Sequence, residues 1–154
     1  MSTNTLTLSL LSDTYTIAKW KPAAIVSLWP LLLPLTEPKT PKSFFSLSVT
    51  HEEASLVVPH QIVANLQSQL ELKTKDFPLS TEEGYAAFMV HGPLDFALVG
   101  ILAQLTTALA KESISVFAVS TFNTDYILVK KDKAQAAIDA WKTHSNSFAV
   151  NIIQ

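Results

Sequence analysis

The chain has 154 residues, 48% of them hydrophobic, no cysteine and a formal net charge of -2. That apolar content suits one compact domain or two small ones, and the lack of cysteine excludes disulfides, thiolate catalysis and cysteine-bound metals. All 11 basic residues are lysine; with no basic field and no guanidinium fork, nucleic acid and membrane surfaces are not expected partners.

The N-terminus, MSTNTLTLSLLSD, lacks a basic n-region and a long apolar core, so it does not read as a signal peptide. Leu6, Leu8 and Leu10 alternate with Thr7 and Ser9, a strand signal that Tyr15 and Ile17 continue after an expected turn at Ser12-Asp13-Thr14. The apolar run Ala23 to Leu35 is thirteen residues long and holds Pro30 and Pro34. It falls short of the roughly 20 residues of a membrane-crossing helix, and its prolines predict buried extended chain and turn. Residues 36–42, TEPKTPK, read as an exposed loop. Residues 44–50 and 54–59 predict a hairpin around His51-Glu52-Glu53, and Ile62, Val63, Leu66 and Leu70 recur at helical spacing.

The second half is more strongly patterned. All three glycines, Gly84, Gly92 and Gly100, open it, and glycine is needed where backbone turns sharply or another group comes close. Gly84 is expected to start a strand through Tyr85 to Val90, followed by the turn His91-Gly92-Pro93-Leu94. Asp95 is placed to cap a helix whose buried stripe is Leu98, Ile101, Leu102, Leu105 and Leu109. Strands are predicted at Ile114 to Ser120 and Tyr126 to Lys130, around the turn Thr121-Phe122-Asn123-Thr124-Asp125. A helix from Asp132 to Thr143 and a closing strand, FAVNII, complete the order.

The order β-α-β-β-α-β predicts an α+β, ferredoxin-like fold with antiparallel sheets. Two units are expected, a degenerate one over 1–72 and a complete one over 80–154. From Gly92 to Val129, with GILAQL at the helix and ISVFAVSTFNTDYILV at the hairpin, the sequence resembles the ACT domain, a small-molecule sensor module. It is similar in particular to the subfamily of the CASTOR arginine sensors and their bacterial and fungal relatives, and FFSLSVTHEEASLVV is similar to the hairpin of a first such unit.

The resemblance implies two tandem ACT-like units that bind an amino acid or similar small zwitterion. One wall of the site would be His91, Gly92, Pro93, Leu94 and Asp95 with Val99, Gly100 and Ile101. The other would be Ser120, Thr121, Phe122, Asn123, Thr124 and Asp125. An aspartate at the position matching Asp125 helps hold the ligand in the arginine sensors, which makes Asp125 the foremost contact. The physical chemistry agrees, since a ligand ammonium seeks a carboxylate and a ligand carboxylate suits helix-terminal amides. The animal sensors hold four ACT units in one chain, so a homodimer would restore that number. A regulatory, cytoplasmic protein is implied, with no cofactor.

Other readings of the same residues stand beside this one. Asp125 also fits an ordinary hairpin turn, and Gly100 fits close helix-to-sheet packing. The four histidines, His51, His60, His91 and His144, lack metal-ligand spacing. No nucleophile elbow, P-loop or dinucleotide fingerprint occurs, so an enzyme would have to rely on His91 paired with Asp95 or Asp125. A ligand-free dimerisation module is the remaining alternative.

Overall fold

The computed structural model describes residues 5–36, 44–73, 80–91, 99–144 and 149–153. The chain divides into two compact units, Asp13–Gly84 and Met1–Ser12 with Tyr85–Gln154. Two strands, β1 (Thr5–Trp20) and β4 (Ser80–Val90), contribute residues to both.

The 13–84 unit runs from the later part of β1 through α1 (Ile25–Leu32), β2 (Ser46–Val49), β3 (Ala54–Pro59) and α2 (His60–Lys73) into β4. β3 pairs antiparallel with β2 on one side and β1 on the other, and β4 follows β1 in the strand order. Its core joins Ala18, Trp20, Ala54, Leu56 and Val58 of the strands to Ala24, Leu28 and Leu32 around α1 and to Val63 and Leu66 of α2. Thr16 is fully buried there, its hydroxyl 2.9 Å from His60 Nδ1.

Two expectations for this unit are corrected. The run Ala23 to Leu35 is helical, not extended: a 3-10 turn over Pro22–Ala24 leads into α1, and Leu33–Thr36 continues it as a further 3-10 segment. Pro22 stands in the first turn, where its fixed φ favours a helix start. Pro30 removes one backbone bond, a penalty offset by burying Leu28 and Leu32, four residues apart on one face. The expected turn at Ser12-Asp13-Thr14 is likewise absent, because β1 runs unbroken from Thr5 to Trp20. Pairing with β7 at Thr5–Ser9 and with β3 at Tyr15–Trp20 holds the strand extended on either side of the triplet, so tertiary pairing overrides local turn preference.

The second unit takes the end of β4, α3 (Ile101–Lys111), β5 (Phe117–Ser120), β6 (Asp125–Lys130), α4 (Ala134–His144) and β7 (Ala149–Ile153). β6 lies antiparallel between β4 and β5. β7 pairs in parallel with the start of β1, Thr5 opposite Ala149 through Ser9 opposite Ile153. The N-terminal strand is therefore inserted between β7 and β4.

The core of this unit packs Leu8, Phe88, Val90, Ile127 and Val129 against Leu105, Leu109, Ile138 and Trp141. Phe88 and Trp141 meet edge to face at 4.8 Å, and the Trp141 indole N–H donates to the Leu105 carbonyl at 3.0 Å. α3 closes on a left-handed Ser113, φ 55°, with Ile114 N–H bonded to Leu109 O and Ser113 N–H to Ala110 O. That is the Schellman pattern, usually made by glycine.

Gly84 does not start its strand. It lies inside β4 at φ 76°, the residue at which β4 passes from one unit to the other. A Cβ there would meet nothing within 4 Å, so backbone conformation alone calls for glycine.

Candidate functional site

β4 and β6 are antiparallel neighbours with Met89 opposite Tyr126, so the exit of β4 and the entry of β6 lie side by side. The Thr124 hydroxyl donates to the Val90 carbonyl and fixes the tip of the β5–β6 hairpin to the end of β4. His91 follows directly: its N–H donates to Thr7 O at 2.8 Å, and its Nε2 is 2.6 Å from the Ser9 hydroxyl. Ser120 and Asp125 form the last pair of the hairpin, with the Ser120 hydroxyl donating to Asp125 Oδ1 at 2.6 Å.

The hairpin turn itself needs neither Ser120 nor Asp125. Thr121 makes it, donating to Thr124 O through its N–H at 2.8 Å and through its hydroxyl at 2.9 Å. The β2–β3 hairpin of the other unit has the same construction. There Thr50 donates to Glu53 O through N–H at 2.8 Å and through its hydroxyl at 3.4 Å, but the closing pair is Val49 and Ala54. One turn geometry thus closes once on an apolar pair and once on Ser120 and Asp125. The carboxylate is surplus to the turn.

Asp125 is half-buried, and no basic side chain among the described residues pairs with it. Burial pushes the neighbouring Tyr126 phenol above its ordinary value, so this ring stays neutral. The hairpin end therefore presents one carboxylate, oriented by a hydroxyl. It is suited to receiving a small cation or ammonium.

The remaining expected contacts are placed less fully. Gly92, Pro93, Leu94 and Asp95 lie outside the described residues, as do the expected cap by Asp95 and the helical position of Leu98. α3 begins at Ile101, so Val99 and Gly100 precede the helix instead of opening it. Gly100 is the N-cap at φ 82°, a left-handed conformation open to glycine, and its carbonyl accepts the first helical bond from Gln104 N–H at 2.9 Å. Close helix-to-sheet packing does not account for Gly100, since an added Cβ would find only the Gln104 amide at 3.9 Å. Val99, Phe122, Thr121 and Asn123 are exposed and Ile101 is half-buried.

Sequence reading missed Ser9 and Gln104. Ser9 joins the group only because β1 is inserted beside β4, a pairing with no local signal. Gln104 carries a buried Oε1 with no hydrogen-bond partner among the described residues, invisible in a helical stripe of leucines. Among the described residues no group of three or more acidic, histidine or cysteine side chains is placed to hold a metal. Nor is any helix among them long and apolar enough to cross a membrane.

The ACT domain family matches residues 80–142, which contain all of this geometry except Thr7 and Ser9. The mouse cytosolic arginine sensor for mTORC1 subunit 1 is 33% identical over 107 residues, 69% of this chain and 31% of its own length. The human protein CASTOR3P is 33% identical over 96 residues, 60% of this chain and 58% of its own. The chain thus spans only part of the length of these relatives.

In fold, an Agobacterium tumefaciens protein covers 97% of this chain and 94% of its own at TM-score 0.66 and 20% identity. The regulatory subunit of aspartate kinase from Thermus thermophilus covers 93% and 99% at TM-score 0.66 and 12% identity. The mouse relative is named as a sensor, in agreement with a non-enzymatic chain. The molecule is an α+β protein of ferredoxin-like order, with an ACT domain at residues 80–142 and a relationship to the arginine-sensor proteins.

Proposed function

We propose that the chain is a cytoplasmic amino-acid sensor of the ACT type, active as a homodimer, with the 13–84 unit serving as a second ACT-like unit. The ligand is a small zwitterion. Its ammonium, or a cationic side chain, is held by Asp125, while the segment from His91 through Asp95 and the start of α3 at Val99, Gly100 and Ile101 receives its carboxylate. Ser120 and Thr121 through Thr124 complete the other wall.

The observation that carries this reading is the closing pair of the β5–β6 hairpin. A carboxylate that the turn does not require is oriented by Ser120 and tied through Thr124 to the end of β4. Support also comes from the location of this pair inside the region that matches the ACT domain and from the similarity to proteins named as arginine sensors.

A thermal-shift screen of the chain against the twenty amino acids tests it. At 100 times Kd a ligand that binds only the folded state stabilises it by ~2.7 kcal/mol, so at least one amino acid is expected to raise the melting temperature. If none does at millimolar concentration, the sensor reading is wrong and a ligand-free interaction module takes its place.

A further inference from the structure

α1 is apolar on both of its faces. Leu28 and Leu32 are fully buried in the core of the 13–84 unit, yet Val26, Trp29 and Leu33 on the opposite face are 79%, 47% and 47% exposed. With exposed Pro30 they fall at helical spacing, i, i+3, i+4 and i+7, into one stripe. A helix apolar all round is ordinarily buried all round. The fold does not impose this pattern. α3 follows β4 in the chain as α1 follows β1, and its outward residues are Ala103, Thr107, Ala110 and Lys111.

From this stripe we infer the contact surface of the homodimer proposed above: the outer face of α1 packs against the same face of a second copy of this chain. Two observations favour that occupant. No charged residue occurs from Pro22 to Thr36, so apposing the helix to itself brings no like charges together. The stripe is nearly symmetric about Trp29 and Pro30, and a two-fold axis there sets Val26 of one copy near Leu33 of the other, with the tryptophan at the centre, where such side chains contribute most. A membrane surface is disfavoured because Pro22 to Thr36 carries no lysine with which to build the basic polar face of an interfacial helix.

Sedimentation equilibrium of the full chain, of Val26→Glu and of Trp29→Lys decides it, with Ala103→Glu on α3 as control. The parent and A103E are expected to be dimers. V26E and W29K are expected to dissociate at least tenfold more readily while keeping the parent far-UV circular dichroism. A monomeric parent overturns both the homodimer and this surface. A dimeric parent with equally dimeric V26E and W29K overturns the surface alone and leaves the homodimer standing.

Should either variant fail to fold, the chain's lack of cysteine permits a second test. Val26→Cys with Leu33→Cys places two thiols ~10 Å apart along one helix, too far for a disulfide within one copy. Oxidation is expected to give a covalent dimer that reductant reverses, and persistent monomer overturns the surface. None of these readouts depends on whether an amino acid binds.

Discussion

The two hairpins of this molecule are built on one plan and finished differently. Thr50 and Thr121 each close a turn by bonding to the carbonyl three residues on, yet the strands leave one turn through Val49 and Ala54 and the other through Ser120 and Asp125. Because the first turn forms without a closing carboxylate, the second has no structural need of one. Helices show the reverse contrast, with the apolar outer stripe on α1 and the small and polar one on α3. The two hairpins, closed by the same turn bonds, thus separate what the turn requires from what each unit adds to it. Polar chemistry is added at one hairpin and an apolar face at one helix.

The largest effect expected from breaking this comparison lies in the cores. Each unit buries one tryptophan completely, but Trp141 has a partner for its N–H in Leu105 O, whereas Trp20 Nε1 has none among the described residues. Trp141→Ala removes the contact with Phe88 as well and is expected to cost ~3–5 kcal/mol in urea unfolding. Trp20→Phe discards an unsatisfied donor while keeping an aromatic ring. It is expected to cost less than Trp141→Phe by ~1 kcal/mol or more, and an equal loss in the two would show that Trp20 is satisfied in solution.

At the hairpins, Asp125→Ala is expected to change stability by under ~1 kcal/mol, the range of a single partly exposed hydrogen bond, while abolishing the thermal shift given by an amino acid. Thr121→Ala and Thr50→Ala, measured side by side, are expected to lose similar stability, ~0.5–1.5 kcal/mol each; a large difference between them would break the equivalence of the turns. The smallest effect is a gain. Ser113→Gly relieves a left-handed residue at the Schellman end of α3 and is expected to stabilise by ~0.5–1 kcal/mol, read as a higher midpoint in urea.

Much of the second unit was legible in its sequence because local signals agreed there. The leucines of α3 and the β-branched and aromatic residues of β5 and β6 each give the correct element. The first unit misled at α1, where Pro30 argued against a helix that burial of Leu28 and Leu32 nonetheless secures. Ser12, Asp13 and Thr14 misled because their turn preference is local, whereas the pairings that hold β1 straight involve Pro59 and Ala149, far along the chain. Asp125 could be singled out from the sequence, but not distinguished from an ordinary turn residue. The Thr121 hydrogen bonds, and their counterpart at Thr50, add that the turn closes without its carboxylate.

Isothermal titration of the full chain with the amino acid that gives the largest thermal shift, repeated with Asp125→Asn, tests the central claim most directly. Asparagine keeps the size and one carbonyl oxygen of the side chain but removes its charge, so a carboxylate that receives an ammonium predicts at least tenfold weaker binding, or ~1.4 kcal/mol. Binding to Asp125→Asn as tight as to the parent chain would contradict the account and move the ligand away from the β5–β6 hairpin.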